Sequence, residues 1–244
     1  MMKFFSLLIP LFASCAMLPM AIPGEGFLPF SDGFETGTLD RWHFEAVDPN
    51  FSMALVTNEV HSGSTALKVT LRQGDKIHNG TRSEAALYHV APYGAEVLYQ
   101  FAFFIPLDYS ESSDWQLIAQ FHDQPDFYAG EIWTGYQPLS PPVSFTYKNG
   151  LLILTMNTPG NETVRVTERT IAKGVWHQVA LRAFWSEGPD GWIEAQLDNT
   201  VWTERYYRPN LYSRGGNYFK LGLYRSPDIT TTNSIYYDDV EVRL

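Results

Sequence analysis

The segment Trp115-Gln-Leu-Ile-Ala-Gln-Phe-His122 sets Gln120 and His122 two residues apart, and Tyr218-Phe-Lys-Leu-Gly-Leu-Tyr224 sets Lys220, Gly222 and Tyr224 at the same interval. Successive side chains of a β-strand point to opposite faces, so residues at this spacing stand side by side. In the first segment Trp115, Leu117, Ala119 and Phe121 make a wholly apolar face, leaving Gln116, Gln120 and His122 on the other. In the second, Phe219, Leu221 and Leu223 form the apolar face. Thr81-Arg82-Ser83-Glu84 likewise pairs Arg82 with Glu84. If these three strands are neighbours in one sheet, Arg82, Gln120, His122, Lys220 and Tyr224 converge. Such a set offers hydrogen-bond donors to an anion, an imidazole that titrates near neutral pH and a phenol, which suits metal-independent acid–base chemistry on an anionic substrate. Gly222 weakens a strand, and the close approach of a ligand between Lys220 and Tyr224 would account for it.

Most of the chain consists of short runs rich in Val, Ile, Tyr and Phe, separated by turn residues. The expected strands are Ala66–Arg72, Glu96–Ile105, Trp115–His122, Val143–Tyr147, Leu151–Met156, Thr163–Thr170, His177–Trp185, Trp192–Leu197, Val201–Glu204, Tyr218–Arg225 and Ile235–Val242. Asn149-Gly150 and Asp198-Asn199 tolerate the positive φ of two-residue hairpin turns. No repeat or linker divides the chain. The expected fold is all-β, a jelly roll or concanavalin-like sandwich of two antiparallel sheets, in one domain over residues 22–244. The stretch Asp123–Pro142 has no strand pattern and holds Phe127, Tyr128, Trp133 and Tyr136, as a substrate lid or as a surface loop packed on the sheet edge.

Of the 244 residues, 45% are hydrophobic and 15% aromatic, which excludes disorder and fits either a large core or a surface for sugar rings. A net charge of -10 argues against nucleic acid or an anionic membrane as a partner. Residues 1–21, with Lys3 ahead of an apolar stretch, have the layout of a secretory signal, so a secreted chain is expected. Cys15, the single cysteine, is the one site for a lipid anchor, and the chain is expected to act as a monomer.

Arg82-Ser83-Glu84, Gln120-Phe121-His122 and Tyr218-Phe-Lys-Leu-Gly-Leu-Tyr224, in this order, resemble the three motifs of jelly-roll polysaccharide lyases: R-(S/T)-E-x-R, Q-(I/V)-H and Y-F-K-A-G-x-Y. Ala86 stands where the first motif has its second Arg, and Phe121 where the second has a branched residue. The stretches from Pro141 to Leu154 and from Trp176 to Asp198 are similar to the heparin-lyase-I-like group that includes glucuronan lyases. The resemblance implies β-elimination on a uronic-acid polymer, with glucuronan ahead of alginate. Arg82, Gln120 and Lys220 would neutralise the C5 carboxylate, and His122 and Tyr224 would share the roles of base and acid, the division depending on the epimer at C5. Glu84, Lys148, Trp133 and Arg225 would line the substrate site, within a basic patch that also includes Lys76.

An ordinary reading stands beside each of these: Lys220 as a solvated residue, Tyr224 as a strand-edge residue, Arg82 and Glu84 as a structural pair. The histidines at 43, 61, 78, 89 and 177 read as structural, His78 with least assurance because it precedes Arg82 so closely. Phe30–Gly37, His61–Lys68 and Tyr237–Val240 also resemble the frame of jelly-roll carbohydrate-binding modules, in which a structural calcium ties the chain ends. Glu35 and Asp238 are the expected ligands; the alternative is a turn cap and a loop hydrogen bond. A non-catalytic binding module is the rival function. A sandwich-fold glycoside hydrolase would need paired carboxylates in an E-x-D-x-E run, which is missing.

Overall fold

Strands form where β-branched and aromatic residues alternate with polar ones, and the computed structural model, which describes residues 28–88, 91, 94–137, 139–160 and 162–244, shows fifteen of them among those residues. They are β1 (Phe30–Asp32), β2 (His43–Glu45), β3 (Met53–Val56), β4 (Ala66–Leu71), β5 (Thr81–Leu87), β6 (Glu96–Phe104), β7 (Gln116–Asp123), β8 (Val143–Lys148), β9 (Leu151–Asn157), β10 (Thr163–Thr170), β11 (Trp176–Phe184), β12 (Trp192–Leu197), β13 (Thr200–Tyr207), β14 (Asn217–Arg225) and β15 (Asn233–Arg243). Every expected strand is present. The expected signal segment, Cys15 and His89 lie outside the described residues.

Two antiparallel sheets result. One runs β13-β12-β11-β6-β15-β4-β3 with β1 on β15; the other runs β10-β9-β8-β7-β14-β5-β2. This is the expected sandwich. Both hairpins turn as their dipeptides require, with φ of 48° and 77° at Asn149-Gly150 and 53° and 57° at Asp198-Asn199.

Between the sheets lies a core of aliphatic side chains and packed aromatic rings. Phe121 of β7 and Phe219 of β14 stack at 5.0 Å, and Tyr99 of β6 meets Phe121 edge-on at 4.6 Å. Phe101 packs against Phe145 and Phe219, each at 5.7 Å. Burying each such ring contributes roughly 2–3 kcal/mol, so a large part of the aromatic content serves the fold.

The three motif strands are neighbours: β14 pairs with β7 on one side and β5 on the other. Two irregularities interrupt this part of the sheet. The register of β7 slips against β8 between Leu117 and Ala119, and that of β14 slips against β7 between Leu221 and Tyr224. The first is a bulge at Ile118, after which Ile118 and Ala119 both enter the core. Alternation therefore reverses before residue 118. Gln116 points inward, opposite Arg225, while Trp115 is 41% exposed and meets Tyr224 at 5.0 Å, the opposite of the face expected for each.

A tyrosine from the other sheet seals the irregular region. The buried hydroxyl of Tyr237 on β15 donates toward the carbonyl oxygens of Ile118 and Gly222, and accepts the Gly222 N–H at 3.1 Å. Gly222 itself has φ 141°, and a Cβ there would lie 2.3 Å from the Ser83 carbonyl oxygen and 2.7 Å from the Glu84 Cα. The close approach that requires glycine is thus made by the backbone of β5 and not by a ligand.

Candidate active site

Facing away from the core, β5 presents Arg82 and Glu84, β7 presents Gln120 and His122, and β14 presents Tyr218, Lys220 and Tyr224. In the register Tyr218 lies opposite His122, Lys220 opposite Gln120, Gly222 opposite Glu84 and Tyr224 opposite Arg82. The five expected catalytic residues therefore share one face. A residue missing from the expected set sits at their centre: Glu45 of β2, opposite Glu84. Its Oε1 lies 2.7 Å from Lys220 Nζ and accepts from the Tyr218 hydroxyl at 3.4 Å, and its Oε2 accepts from Arg82 Nη1 at 3.1 Å. A three-residue strand gives no readable alternation, so nothing in the sequence marked it.

Glu84 forms the second half of this network. Gln120 Nε2 donates to Glu84 Oε1, and Glu84 Oε2 lies 3.5 Å from Arg82 Nη1 and 3.7 Å from Lys220 Nζ. All these groups are buried; Gln120 and Lys220 are 0% and 1% exposed, which puts them beneath the surface a polymer would touch. The two carboxyls respond differently. For Glu45, burial would raise the pKa, but the Lys220 ammonium, helped by Arg82, overrides it and holds the group at about 2. For Glu84, burial is complete and prevails over Lys220 and Arg82, so its pKa goes up. Burial would lower the Arg82 pKa, but Glu84 and Glu45 outweigh it and raise it. Two cations, Arg82 and Lys220, thus stand between two carboxyls, Glu45 and Glu84, in the floor of the site.

At one end of this floor stands His122, 8% exposed, its ring 5.5 Å from that of Tyr218. Its Nδ1 lies 2.7 Å from the Asp123 carbonyl oxygen, which can only accept, so Nδ1 carries the proton and the lone pair of the neutral ring is on Nε2. Burial, and then the nearby Lys220 charge, lower its pKa to about 3, so the ring is an unprotonated base through the neutral range. Trp133, 39% exposed, meets Tyr218 edge-on at 6.2 Å and brings the loop after β7 to this end, a packing compatible with both a substrate lid and a surface loop on the sheet edge.

Tyr224 and Arg82 form the other end. The guanidinium lies 4.0 Å over the Tyr224 ring. The turn Ile77–Gly80 closes against them, with His78 at φ 47° and Asn79 at φ 60°. A Cβ at Gly80 would lie 2.6 Å from Arg82 Nη2 and 2.8 Å from Tyr224 Cε2. His78, whose side chain is 65% exposed, directs Nδ1 to within 3.9 Å of Glu45 Oε2. Its closeness in sequence to Arg82 was the one available signal for it. Tyr224 is six residues from Tyr218, roughly 20 Å of strand, so Tyr218 and not Tyr224 is the immediate neighbour of His122.

The expected binding residues divide. Trp133 is at the rim, while Glu84 is buried in the network. Lys148 ends β8 on the same face, half-buried, and Lys76 is exposed next to the turn at 77–80. Arg225 does not join them. It is 0% exposed, faces the interior, and donates from Nη2 to the Thr231 carbonyl at 2.6 Å. It continues the inward series Phe219, Leu221, Leu223.

The residues proposed for calcium hold backbone amides instead. Glu35 Oε1 accepts the N–H groups of Ser64 and Thr65 at 2.8 and 2.9 Å. Asp238 accepts those of His61 and Ser62 on Oδ2 and that of Asp239 on Oδ1. Among the described residues no group of three or more His, Cys, Asp or Glu side chains is arranged to hold a metal, and the hydrogen bonds to Glu35 fall on Oε1. A surface depression lies on the other sheet, lined by Gln100, Arg182, Glu194, Gln196 and Thr203 among others. Its Arg182 is committed to Glu194 and Glu96, so it holds no free acid–base pair.

A family model described as polysaccharide lyase matches residues 34–241. Comparison with curated protein sequences gives no match. Among solved structures, the chain is similar to an endo-β-1,4-glucuronan lyase from the fungus Trichoderma reesei, at 22% identity over 88% of this chain and 94% of that one, with a TM-score of 0.67. It is also similar to the marine alginate lyase from Aplysia kurodai, at 11% identity over 80% and 88% with a TM-score of 0.53. A GH131 β-glucanase catalytic domain from Podospora anserina matches at 17% identity over 92% and 96%, with a TM-score of 0.58. These three establish the fold; because one is a glucanase, the fold alone does not select the chemistry.

Proposed function

The chain belongs to the polysaccharide lyase family, and from that premise we propose that it cleaves a uronic-acid polymer by β-elimination, with glucuronan the first substrate and alginate the second. The observation that carries this reading is the convergence, on one face beside a neutral imidazole, of the cations Arg82 and Lys220 with the amide of Gln120. A uronate is the sugar that such a set attracts. We propose further that the chain is exported by way of residues 1–21.

In the reaction a base removes the C5 proton, the electron pair forms the C4–C5 double bond, and the C4–O bond breaks. The leaving oxygen takes a proton from an acid, and an unsaturated uronic end remains. Charge building on the C5 carboxylate is met by Arg82 directly and by Lys220 and Gln120 from beneath. His122 is the base, through Nε2. Its neighbour Tyr218 is kept fully protonated by burial, which raises its pKa well above the phenol value, and can supply the proton to the leaving oxygen. Tyr224 then faces the adjoining sugar. A second reading is favoured by exposure: Tyr218 is 3% exposed, whereas His78 is open at the other end, where it and Tyr224 would form the acid–base pair.

Incubation with glucuronan, alginate, heparin and a neutral glucan, followed in the ultraviolet band of the unsaturated product, tests the function. A rise with a uronic polymer is expected. No rise with any polymer, together with retention on a polysaccharide column, would make the chain a binding module. His122→Ala and Tyr218→Phe against His78→Ala and Tyr224→Phe then decide between the two pairs.

A further inference from the structure

Asp123 ends β7 immediately after His122 and is 1% exposed. Its main-chain oxygen takes the His122 Nδ1 proton at 2.7 Å, and its own Oδ1 lies 3.1 Å from the same nitrogen. The rest of the carboxylate faces the loop that follows. Oδ2 accepts from the Tyr136 hydroxyl at 2.6 Å, and the carboxylate also accepts a backbone hydrogen bond from Leu139. Tyr136 carries Trp133 edge-on at 5.7 Å, and Trp133 in turn meets Tyr218. One buried side chain thus touches the imidazole on one side and anchors loop 124–142 on the other.

We propose that Asp123 is a positioning residue that fixes His122 and docks this loop in a single arrangement, so that the base and the aromatic wall formed by Trp133 are set together. This rests on the reading of His122 as the base. When the imidazole takes the C5 proton it becomes a cation, and the carboxylate 3.1 Å from Nδ1 is then its counter-charge. The Tyr136 hydroxyl and the Leu139 amide hold that carboxylate in place while the charge forms.

The two halves separate by mutation. Asp123→Asn keeps the shape and an acceptor for Tyr136 but removes the charge: kcat is expected to fall about 10- to 100-fold, with KM within about twofold. Tyr136→Phe keeps the charge but releases the loop: KM is expected to rise several-fold, kcat to change less, and amide hydrogen exchange across residues 129–137 to quicken. Exchange needs no substrate, and the wild-type assay on uronic polymers is run alongside. Unchanged kcat in Asp123→Asn, unchanged exchange in Tyr136→Phe, or parallel losses of kcat in step with lowered Tm in both variants would each overturn the proposal. A wild type inactive on every uronic polymer would overturn the lyase reading itself. Faster exchange in Tyr136→Phe would then show the loop anchor standing without it.

Discussion

Replacing Tyr237 by Phe removes one oxygen atom from the centre of the molecule and leaves no cavity. The hydroxyl accepts the Gly222 N–H and can donate to one carbonyl at a time, of Ile118 or of Gly222, so two hydrogen bonds are lost at a site that is 0% exposed. Each of the two backbone groups left without its partner costs about 1–2 kcal/mol, the lower part of the range for a buried polar group, which puts the total near 2–4 kcal/mol. For a domain of this size, where about 1 kcal/mol shifts Tm by about 2–4 °C, the expected loss is roughly 5–15 °C. Urea unfolding and scanning calorimetry at pH 7 would measure it, with an unchanged m-value showing that the denatured state is not what moved. Activity well below Tm should stay within a few-fold of wild type, since the side chain lies behind the sheet. A Tm within about 2 °C of wild type would refute the argument: the backbone groups at the two irregularities would then have other partners.

Glu45→Gln leaves Lys220 and Arg82 short of their shared carboxylate and is expected to cost about 3–5 kcal/mol, more than Glu84→Gln; equal losses in thermal melts would contradict the division of roles between the two acids. The low pKa values of His122 and Glu45 mean that the unfolded chain binds more protons than the folded one, for His122 between about 6.5 and 3 and for Glu45 between 4.5 and about 2. Their contributions to stability are thus present above those windows and lost as the pH falls through them, which denaturant titrations at pH 7, 5 and 3.5 would follow. By the same shift, kcat/KM should show no imidazole limb near pH 6.5, and finding one would remove His122 as the base. A calcium-dependent rise in Tm that EDTA reverses would identify Glu35 and Asp238 as ligands, and a Tm unchanged within about 1 °C would leave them as acceptors for backbone amides.

Alternation over seven or more residues made most of the fold readable, because a strand buried on one face must repeat with period two. The same rule put Gln120 with His122, Lys220 with Tyr224 and Arg82 with Glu84, and the pairing of β14 with β7 and β5 then brought these sets together. The rule failed where the backbone breaks it. The bulge at Ile118 exchanges the faces of Gln116 and Trp115, and no residue type announces a bulge there. For Arg225 the rule was right and was overruled by charge: its place after Leu223 is an inward one, and a buried guanidinium that donates to carbonyl oxygens through Nη2 alone is rare enough that a surface patch was the natural expectation. Glu45 was out of reach because β2 is too short to show a pattern and its partners come from strands more than thirty residues away. Ranking Tyr218 against Tyr224 beside His122 needs the register, which the sequence does not contain.

The turn that closes over Arg82 and Tyr224 also bears on how the protein can be produced. Asn79, exposed at its tip, begins the triplet Asn79-Gly-Thr81, which is the acceptor pattern for N-linked glycosylation. A eukaryotic secretion host that used it would plant a branched sugar at the rim of the proposed site, on the residue next to Gly80, which packs against the Arg82 guanidinium. Material from a bacterial host would keep that rim clear, so the choice of expression system decides whether the enzyme is presented to its substrate open or shielded.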